Sequence, residues 1–346
     1  MKKTLISASV ASVLTLVSFA TLAEGPSFYG RLDLAVTNSD NGSTTQNGKE
    51  GTVLENNFSN LGVKGSEKIS DGVEILYQME FQVENTTQTK DSSGDEVTFK
   101  SRNTFLGLKT NAGTVLVGRN DTVFKQSEGG IDLFGNFNAD IDRLIGGQDR
   151  KADGIWYYSP VIGGLVTLNA TYLMDDNYEG SDEDQYALSA TIGDKGLKAQ
   201  NYYLAAAYNT IGGIDAYRGV AQVKLGDFKL GGLFQNTESQ TTAQEGDSFF
   251  VNVSYDLNGV NLKAEYGQDD AGFGKYYKSI GDVNGNAATG LDVDVTNITV
   301  GADYRISKST LVYGHYAMYE GEHKVGTATV DLEDDNVFTL GARYDF

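Results

Sequence analysis

The last strand of the chain alternates residue by residue between an apolar and a polar face. The apolar face carries Phe338, Leu340, Ala342, Tyr344 and Phe346. The other face carries Thr339, Gly341, Arg343 and Asp345. A strand of a water-soluble protein would bury its apolar face in a core, whereas lipid outside and water inside would account for both faces here. The pattern therefore predicts a strand of a transmembrane barrel.

The same period of two recurs along the chain in segments of about ten residues, the length that a tilted strand needs to cross a bilayer. Clear examples are the segments 249–255, 260–266 and 298–305. Gly- and Asp-rich turns, such as Gly193–Gly196, alternate with longer connections. The long connections lie near 37–56, 84–100, 120–153, 174–184, 209–216, 237–247, 268–294 and 321–335.

These connections, together with seven short turns, predict about sixteen strands. We expect an all-β transmembrane antiparallel β-barrel, with short periplasmic turns, long extracellular loops and both termini on the periplasmic side. A soluble β-sandwich would also alternate. It would not explain why the long acidic connections and the tight turns fall on opposite sides.

The N-terminus has the features of a cleavable export signal. Two lysines follow Met1, an apolar stretch extends to Leu22, and small residues precede Glu24. We predict a signal peptide over residues 1–23; a membrane anchor helix is the alternative, since the apolar run is about long enough. With only two prolines and no shift in composition, residues 24–346 are predicted to form one barrel domain.

Composition argues against several classes of function. The net charge of −20 disfavours a nucleic-acid partner, and the absence of cysteine excludes disulfides and thiolate metal sites. The two histidines, His315 and His323, lie in no recognisable nucleophile motif. The acidic run 175–184 only partly mimics a calcium loop, because Tyr186 stands at the closing position. We predict no catalytic residues, no metal site and no cofactor.

Six segments, in their order and spacing, resemble the general diffusion porins of Gram-negative bacteria. They are Phe28–Asp33, Asn60–Gly65, Arg102–Lys109, Val117–Asn120, Arg150–Pro160 and Ala342–Phe346. The resemblance covers essentially all of the chain after the signal. It implies a homotrimer in the outer membrane, in contact with lipid and lipopolysaccharide, with a third loop that folds into the pore. It also implies that Tyr344 and Phe346 act as an insertion signal for the barrel-insertion machinery.

The connection from residue 120 to residue 153 is too long for an ordinary hairpin loop. The resemblance implies that it narrows the lumen. Its predicted acidic residues at the constriction are Glu128, Asp132, Asp140 and Asp142. The predicted basic wall facing them is Arg31, Arg102 and Arg150. Opposed charges of this kind would create a transverse field. Alternatively, the acids are solvated or tie the loop down, and Lys125 and Arg143 neutralise them.

These features predict a non-enzymatic, passive channel for small hydrophilic solutes and ions. The porin family often has a basic residue where this chain has Asn60, which thins the positive wall and, with the acidic outer loops, favours cations. Two alternatives stay open. One is a substrate-preferring porin for an oligosaccharide or an anion; the other is an outer-membrane enzyme or adhesin barrel.

Overall fold

The computed structural model describes residues 25–86, 94–175, 184–283 and 291–346. The predicted signal peptide and residues 176–183 of the acidic run lie outside the described residues. The strands are β1 Ser27–Ser39, β2 Gly51–Asn56, β3 Asn60–Ser70, β4 Val73–Val83, β5 Phe99–Thr110, β6 Gly113–Asp121, β7 Arg150–Tyr158, β8 Val166–Leu173, β9 Tyr186–Gly193, β10 Tyr202–Asn209, β11 Ile214–Leu225, β12 Phe228–Ser239, β13 Glu245–Leu257, β14 Val260–Asp269, β15 Leu291–Arg305, β16 Thr310–Val325, β17 Ala328–Asp331 and β18 Asp335–Asp345.

Among the described residues there are two short helices, α1 over Val123–Gln126 and α2 over Lys275–Val283. A 3-10 turn covers Ile141–Arg143. Within the four described ranges, no helix is both long and apolar enough to cross a bilayer.

All strands belong to one antiparallel sheet that closes on itself, because β1 bonds to β18 on one side and to β2 and β3 on the other. β2 and β3 form one barrel strand: Asn56 of β2 pairs with Leu34, and Asn60 of β3 pairs with Arg31. Phe58, with φ of 60°, lies in the short break between them. β17 and β18 likewise share β16 as partner. The barrel therefore has sixteen strands, as predicted.

The barrel is apolar outside and polar inside. In β18, Phe338, Leu340 and Tyr344 are exposed on the outer face, whereas Thr339 and Arg343 are buried on the inner face. A similar inversion is seen in β13, where exposed Phe249 and Val251 alternate with buried Ser248 and Asn252. Hydrocarbon outside removes the cost of exposing apolar surface to water. The predicted transmembrane barrel is confirmed.

Several connections differ in length from the prediction. The loops expected at 209–216 and 237–247 are shorter, 210–213 and 240–244, because the flanking strands extend further. β16 likewise continues through Val325, into the loop expected from residue 321. In the opposite direction, the tight turn expected at Gly193–Gly196 belongs to a longer connection, residues 194–201.

Candidate pore constriction

The connection between β6 and β7 folds into the barrel, and residues 122–149 are called the third loop. It begins with α1, where the Thr122 hydroxyl accepts a hydrogen bond from the backbone N–H of Lys125 at 3.2 Å and caps the helix. The loop buries nine apolar side chains, namely Val123, Phe124, Ile131, Phe134, Phe137, Ala139, Ile141, Leu144 and Ile145. Burial of these side chains against the inner wall holds the loop in the lumen.

Glycines on the inner face of the wall make room for the loop. A Cβ on Gly301 would lie 2.7 Å from a ring carbon of Phe134, and a Cβ on Gly267 would overlap the side chain of Leu144. Carbon atoms normally stay about 3.5–4.0 Å apart, so only glycine permits these close approaches. Glycines at inward-facing strand positions indicate where a loop packs on the wall. The sequence analysis did not use this signal.

Polar side chains of the wall satisfy carbonyl groups of the third loop. The Nζ of Lys263 donates to the carbonyl O of Leu133 at 2.9 Å and lies 2.9 Å from the carboxylate of Asp303. The Tyr319 hydroxyl donates to the carbonyl O of Asn138 at 3.0 Å. A backbone that leaves the sheet needs such partners, because an unpaired buried carbonyl is costly.

The first loop, residues 40–50, reaches the third loop from the barrel mouth. The Gln46 side chain donates to the carbonyl O of Asn136 at 3.2 Å and accepts from the Arg143 guanidinium at 2.9 Å. The first loop is itself held by the buried carboxylate of Asp335, which accepts hydrogen bonds from its backbone and hydroxyl groups. These contacts make Arg143 a structural residue that joins two loops.

The described part of the seventh loop, residues 270–283, packs on the third loop as well. The Lys275 ammonium forms an ion pair with Asp142. A Cβ on Gly274 would overlap the carbonyl group of Leu144, so the two backbones are in close contact. The third loop is thus held in place by contacts with the first and seventh loops as well as with the barrel wall.

Of the four predicted loop acids, Asp142 is the one that is paired with cations. Besides Lys275, it has the Nε of Arg143 at 3.6 Å. Burial disfavours its charged form, but Arg143 and Lys275 together hold the pKa of Asp142 below its usual value. The sequence raised Arg143 as a neutralising partner, and the structure places it at this carboxylate.

Glu128, Asp132 and Asp140 form no ion pair among the described residues. Asp140 caps the 3-10 turn, accepting hydrogen bonds from the backbone N–H groups of Asp142 at 2.9 Å and Asn136 at 2.5 Å. Asp132 accepts from the backbone N–H two residues further on, at 3.2 Å. All three side chains are only half-buried. These residues are therefore partly accessible, although one carboxylate oxygen of Glu128 is buried without a hydrogen bond in the described part of the chain.

Partial burial changes the ionisation of these three acids. Burial raises the pKa of Glu128 to about 7, and Lys125 opposes the rise. Burial and then Asp140 raise the pKa of Asp132 well above its usual value, and burial and then Asp142 raise the pKa of Asp140. The negative charge of the loop therefore grows as the pH rises through neutrality.

Arg102 and Arg150 lie together on the wall at the base of the third loop. The Nε of Arg102 is 2.5 Å from Oε1 of Glu80, and the Nε of Arg150 is 3.1 Å from Oδ1 of Asp121. Arg102 and Glu80 also act electrostatically on Arg150, which places the two pairs in one neighbourhood. The sequence did not identify Glu80 or Asp121 as partners of these arginines.

A β-bulge brings Arg102 to the inner face. Met79 pairs with Thr104, but Phe81 pairs with Ser101, so β5 contains one extra residue at this point. The alternation of β5 shifts by one residue, and Arg102 faces the lumen. This explains why the apolar residues that follow Arg102 do not alternate cleanly with it.

Arg31 lies in a second cluster, at the seam where β1 meets β18. Its Nε is 2.9 Å from Oδ1 of Asp345, and Arg343 approaches the other oxygen of the same carboxylate at 3.3 Å. Across the ladder, Arg31 pairs with Asn60, whose amide donates to the carbonyl O of Phe58 at 3.0 Å. All three predicted wall arginines therefore have a carboxylate partner.

Tyr344 and Phe346, the predicted insertion signal, lie on the outer face. They are 50% and 63% exposed, with ring centroids 6.4 Å apart. The backbone N–H and carbonyl of Phe346 both bond to Gly30, at 3.0 Å each. The structure thus ties the end of the chain to β1, and a role in insertion stays a prediction.

The two histidines are packed among aromatic residues. The ring centroid of His315 lies 5.6 Å from that of Phe134 and 5.5 Å from that of Phe137. The Nδ1 of His323 is 2.8 Å from the hydroxyl of Tyr277. In the part of the chain that the structure describes, no three His, Asp or Glu side chains are arranged to hold a metal ion.

Comparison with known proteins identifies the family to which this barrel belongs. A sequence profile of the Gram-negative porins matches residues 8–324. The chain belongs to the Gram-negative porin family. The barrel is thus an outer-membrane protein, and the third loop is the inward loop of a porin.

Curated relatives agree along most of this porin. The major outer membrane protein P.IB of Neisseria meningitidis serogroup B is 23% identical over 320 residues, covering 90% of this chain and 91% of the relative. The outer membrane porin protein OmpD of Salmonella typhimurium is 27% identical over 331 residues, covering 87% of each chain. The porin-like protein L of Photobacterium profundum is 24% identical over 355 residues, covering 98% of this chain and 96% of the relative.

Solved structures show the same fold. Salmonella typhi OmpF in complex with daunomycin has a TM-score of 0.69 at 16% identity, covering 93% of this porin and 97% of that chain. The trimer form of Vibrio cholerae OmpT has a TM-score of 0.65 at 18% identity, with 93% and 99% covered. An anion-selective porin from Comamonas acidovorans has a TM-score of 0.63 at 20% identity, also with 93% and 99% covered.

Proposed function

We propose that this porin is a passive, non-enzymatic channel for small hydrophilic solutes and ions, and that it prefers cations increasingly as the pH rises. Family membership and the inward third loop support the channel. One observation carries the cation preference. Arg31, Arg102 and Arg150 each have a carboxylate partner, whereas three loop acids form no ion pair among the described residues, namely Glu128, Asp132 and Asp140.

The barrel fold by itself does not determine ion selectivity, since one porin with a similar fold is described as anion-selective. Selectivity must therefore come from the side chains that face the lumen. In this chain Arg31, Arg102 and Arg150 are offset by Asp345, Glu80 and Asp121 respectively. The remaining field is set by the loop acids, and it attracts cations once they are ionised.

The proposal also covers the export of the protein, its assembly and its surroundings in the membrane. Residues 1–23 are removed on export, and residues 24–346 form the mature barrel. We propose a homotrimer, since a structurally similar porin is described in a trimer form. Lipid and lipopolysaccharide contact the apolar outer face, and the barrel-insertion machinery recognises the end of the chain at Tyr344 and Phe346.

The diffusion function is tested with the purified porin in liposomes. Neutral sugars of increasing size should enter at rates that fall smoothly with size, because a water-filled pore discriminates by dimension. A conductance that one sugar or one anion blocks saturably would instead support a substrate-preferring porin. A refolded barrel that passes neither sugars nor ions would contradict the channel.

The contribution of the loop acids is tested with Asp140→Asn. The amide keeps an oxygen acceptor for the turn but removes the charge, so the K⁺/Cl⁻ permeability ratio should fall by about two- to fivefold at alkaline pH. Reversal potentials in a KCl gradient measure this ratio. The control is Asp227→Asn, in the exposed turn between β11 and β12, where no change is expected. Equal ratios in both variants would contradict the assignment.

A further inference from the structure

The connection between β9 and β10 is an ordered loop, called here the inner turn (residues 194–201). The carboxylate of Asp194 organises it by accepting hydrogen bonds from three backbone N–H groups, those of Gly196 at 2.9 Å, Lys198 at 2.8 Å and Ala199 at 2.7 Å. Hydrogen bonds from an aspartate to the backbone ahead of it hold a turn in a defined conformation.

The inner turn folds into the barrel and contacts the third loop. Leu197 is only 6% exposed and belongs to the same buried apolar cluster as Ile131. The carbonyl O of Lys195 lies 3.2 Å from the position that a Cβ would take on Gly130. Leu197 also has a φ of 52°, a conformation that is unfavourable for a residue with a side chain. Burial of that side chain against the third loop offsets the strain.

The wall anchors the third loop at the same place. The Tyr203 hydroxyl donates to the carbonyl O of Ser127 at 3.0 Å, and the backbone N–H of Gly130 donates to the side-chain O of Gln222 at 3.0 Å. Glu128 lies between these two anchors, and one of its carboxylate oxygens makes no hydrogen bond within the described part of the chain. The position of Glu128 relative to the inner turn is therefore fixed on both sides.

Lys195 is the charge that the inner turn brings into the barrel. Its side chain is half-buried, whereas Lys198 of the same turn is exposed. Glu128 is the carboxylate that acts on Lys195 most strongly, followed by Asp121. Burial lowers the pKa of Lys195, and these two carboxylates oppose that effect. The backbone of Lys195 packs against Gly130, so a cation from the periplasmic end lies in the neighbourhood of the acid at the start of the third loop.

We propose that Lys195 is a selectivity-determining residue of this porin, because the inner turn packs on Gly130 and Ile131 of the third loop and so brings a positive charge to the periplasmic side of the constriction. The proposal rests on the cation preference proposed above and adds a counterweight to it. The acids of the third loop draw cations into the pore, and Lys195 reduces that attraction where solutes pass between the constriction and the periplasm.

The proposal is tested with Lys195→Gln and Lys195→Glu in planar bilayers at alkaline pH. The K⁺/Cl⁻ permeability ratio should rise about twofold or more in Lys195→Gln and further in Lys195→Glu, since each step makes the site more negative. Lys198→Gln and Lys198→Glu are matched controls in the same turn and should leave the ratio unchanged. Ratios for the Lys195 variants that equal those of the Lys198 variants would overturn the proposal.

A wild-type porin that conducts no ions would overturn the proposed function instead, so the two failures are distinguishable. A wild-type preference for Cl⁻ would remove the proposed cation preference. A further increase in K⁺ permeability in Lys195→Glu would still support the role of this residue.

Cysteine labelling adds a readout that does not depend on comparing separately folded variants. The chain has no cysteine, so Lys195→Cys carries a single thiol. A methanethiosulfonate reagent converts it to a mixed disulfide and releases methanesulfinate. An ammonium-bearing reagent should return the ratio toward that of wild type, and a sulfonate-bearing reagent should raise it. The control is Lys198→Cys. Ratios at residue 195 that do not depend on the charge of the reagent would contradict the proposal.

Discussion

Arg102 on β5 carries its charge next to the carboxylate of Glu80, 2.5 Å away. The field of such a pair falls off quickly, because the opposite charges cancel and salt screens the remainder within about 8–10 Å. Arg150 with Asp121 and Arg31 with Asp345 follow the same rule. The number of arginines at the wall is therefore a poor guide to selectivity, and pairing decides which charges a passing ion experiences.

The ionisation of Glu128 predicts a pH-dependent selectivity. Its pKa of about 7 means that the side chain is neutral in acid and negative in alkali. The K⁺ preference should therefore rise between about pH 6 and pH 8. Glu128→Gln should flatten this rise, although Asp132 and Asp140 also have raised pKa values. Reversal potentials measured across this pH range test the prediction.

The raised pKa of Glu128 also predicts how the stability of the folded protein depends on pH. The pKa of Glu128 in the folded protein lies above its usual value, so burial of the neutral acid favours the docked loop at low pH, and that contribution is lost as the pH rises through about 7. Glu128→Gln should remove this dependence from thermal unfolding. A variant whose selectivity and unfolding both keep the wild-type pH profiles would contradict the assignment of this pKa.

At the scale of elements, the third loop depends on the shape of the wall behind it. Gly267→Ala on β14 places a methyl group where Leu144 now packs. We expect the loop to be displaced, with a destabilisation of about 1–3 kcal/mol, the usual cost of overpacking. Thermal unfolding should show a lower midpoint, and single-channel recordings should show an altered conductance.

Gly219→Ala on β11 is the control, because nothing lies within 4 Å of a Cβ at that position. It adds the same methyl group at an exposed position of another strand, away from the third loop. If the two alanine variants have the same midpoint and the same conductance as wild type, wall glycines do not position the third loop.

Strands were more predictable than loops. The alternation in β18 is local, and it correctly placed Phe338 outside and Arg343 inside. The bulge that turns Arg102 inward depends on the pairing of β4 with β5, which the period of one strand does not contain. The predicted loop acids lie in a loop within the barrel, but Lys275, the ion-pair partner of Asp142, comes from a distant segment. Tertiary contacts decide which of these charges are neutralised.

The inner turn shows a second limit of sequence analysis. Gly193–Gly196 predicted a tight turn, because glycine and aspartate favour one. The observed connection continues to residue 201, since the buried side chain of Leu197 draws the chain into the barrel. The local sequence correctly predicted a turn at Asp194. It did not reveal the apolar contact of Leu197 that makes the connection longer.

At the scale of the whole molecule, the barrel separates two environments. The outer face is apolar, and the lumen contains the polar residues, the inward loops and nearly all of the paired charges discussed above. The chain carries a net charge of −20, but charges on outer loops are screened before they reach the pore axis. We therefore expect a few carboxylates in the third loop, rather than the overall charge, to set the selectivity.

The selectivity proposed for the third-loop acids is tested by the reversal potential of the wild-type porin in a KCl gradient at about pH 8. We expect a potential of the sign that K⁺ permeation produces, and a smaller potential of the same sign at about pH 6, where the loop acids are more protonated. A potential of the sign that Cl⁻ permeation produces at pH 8 would contradict it.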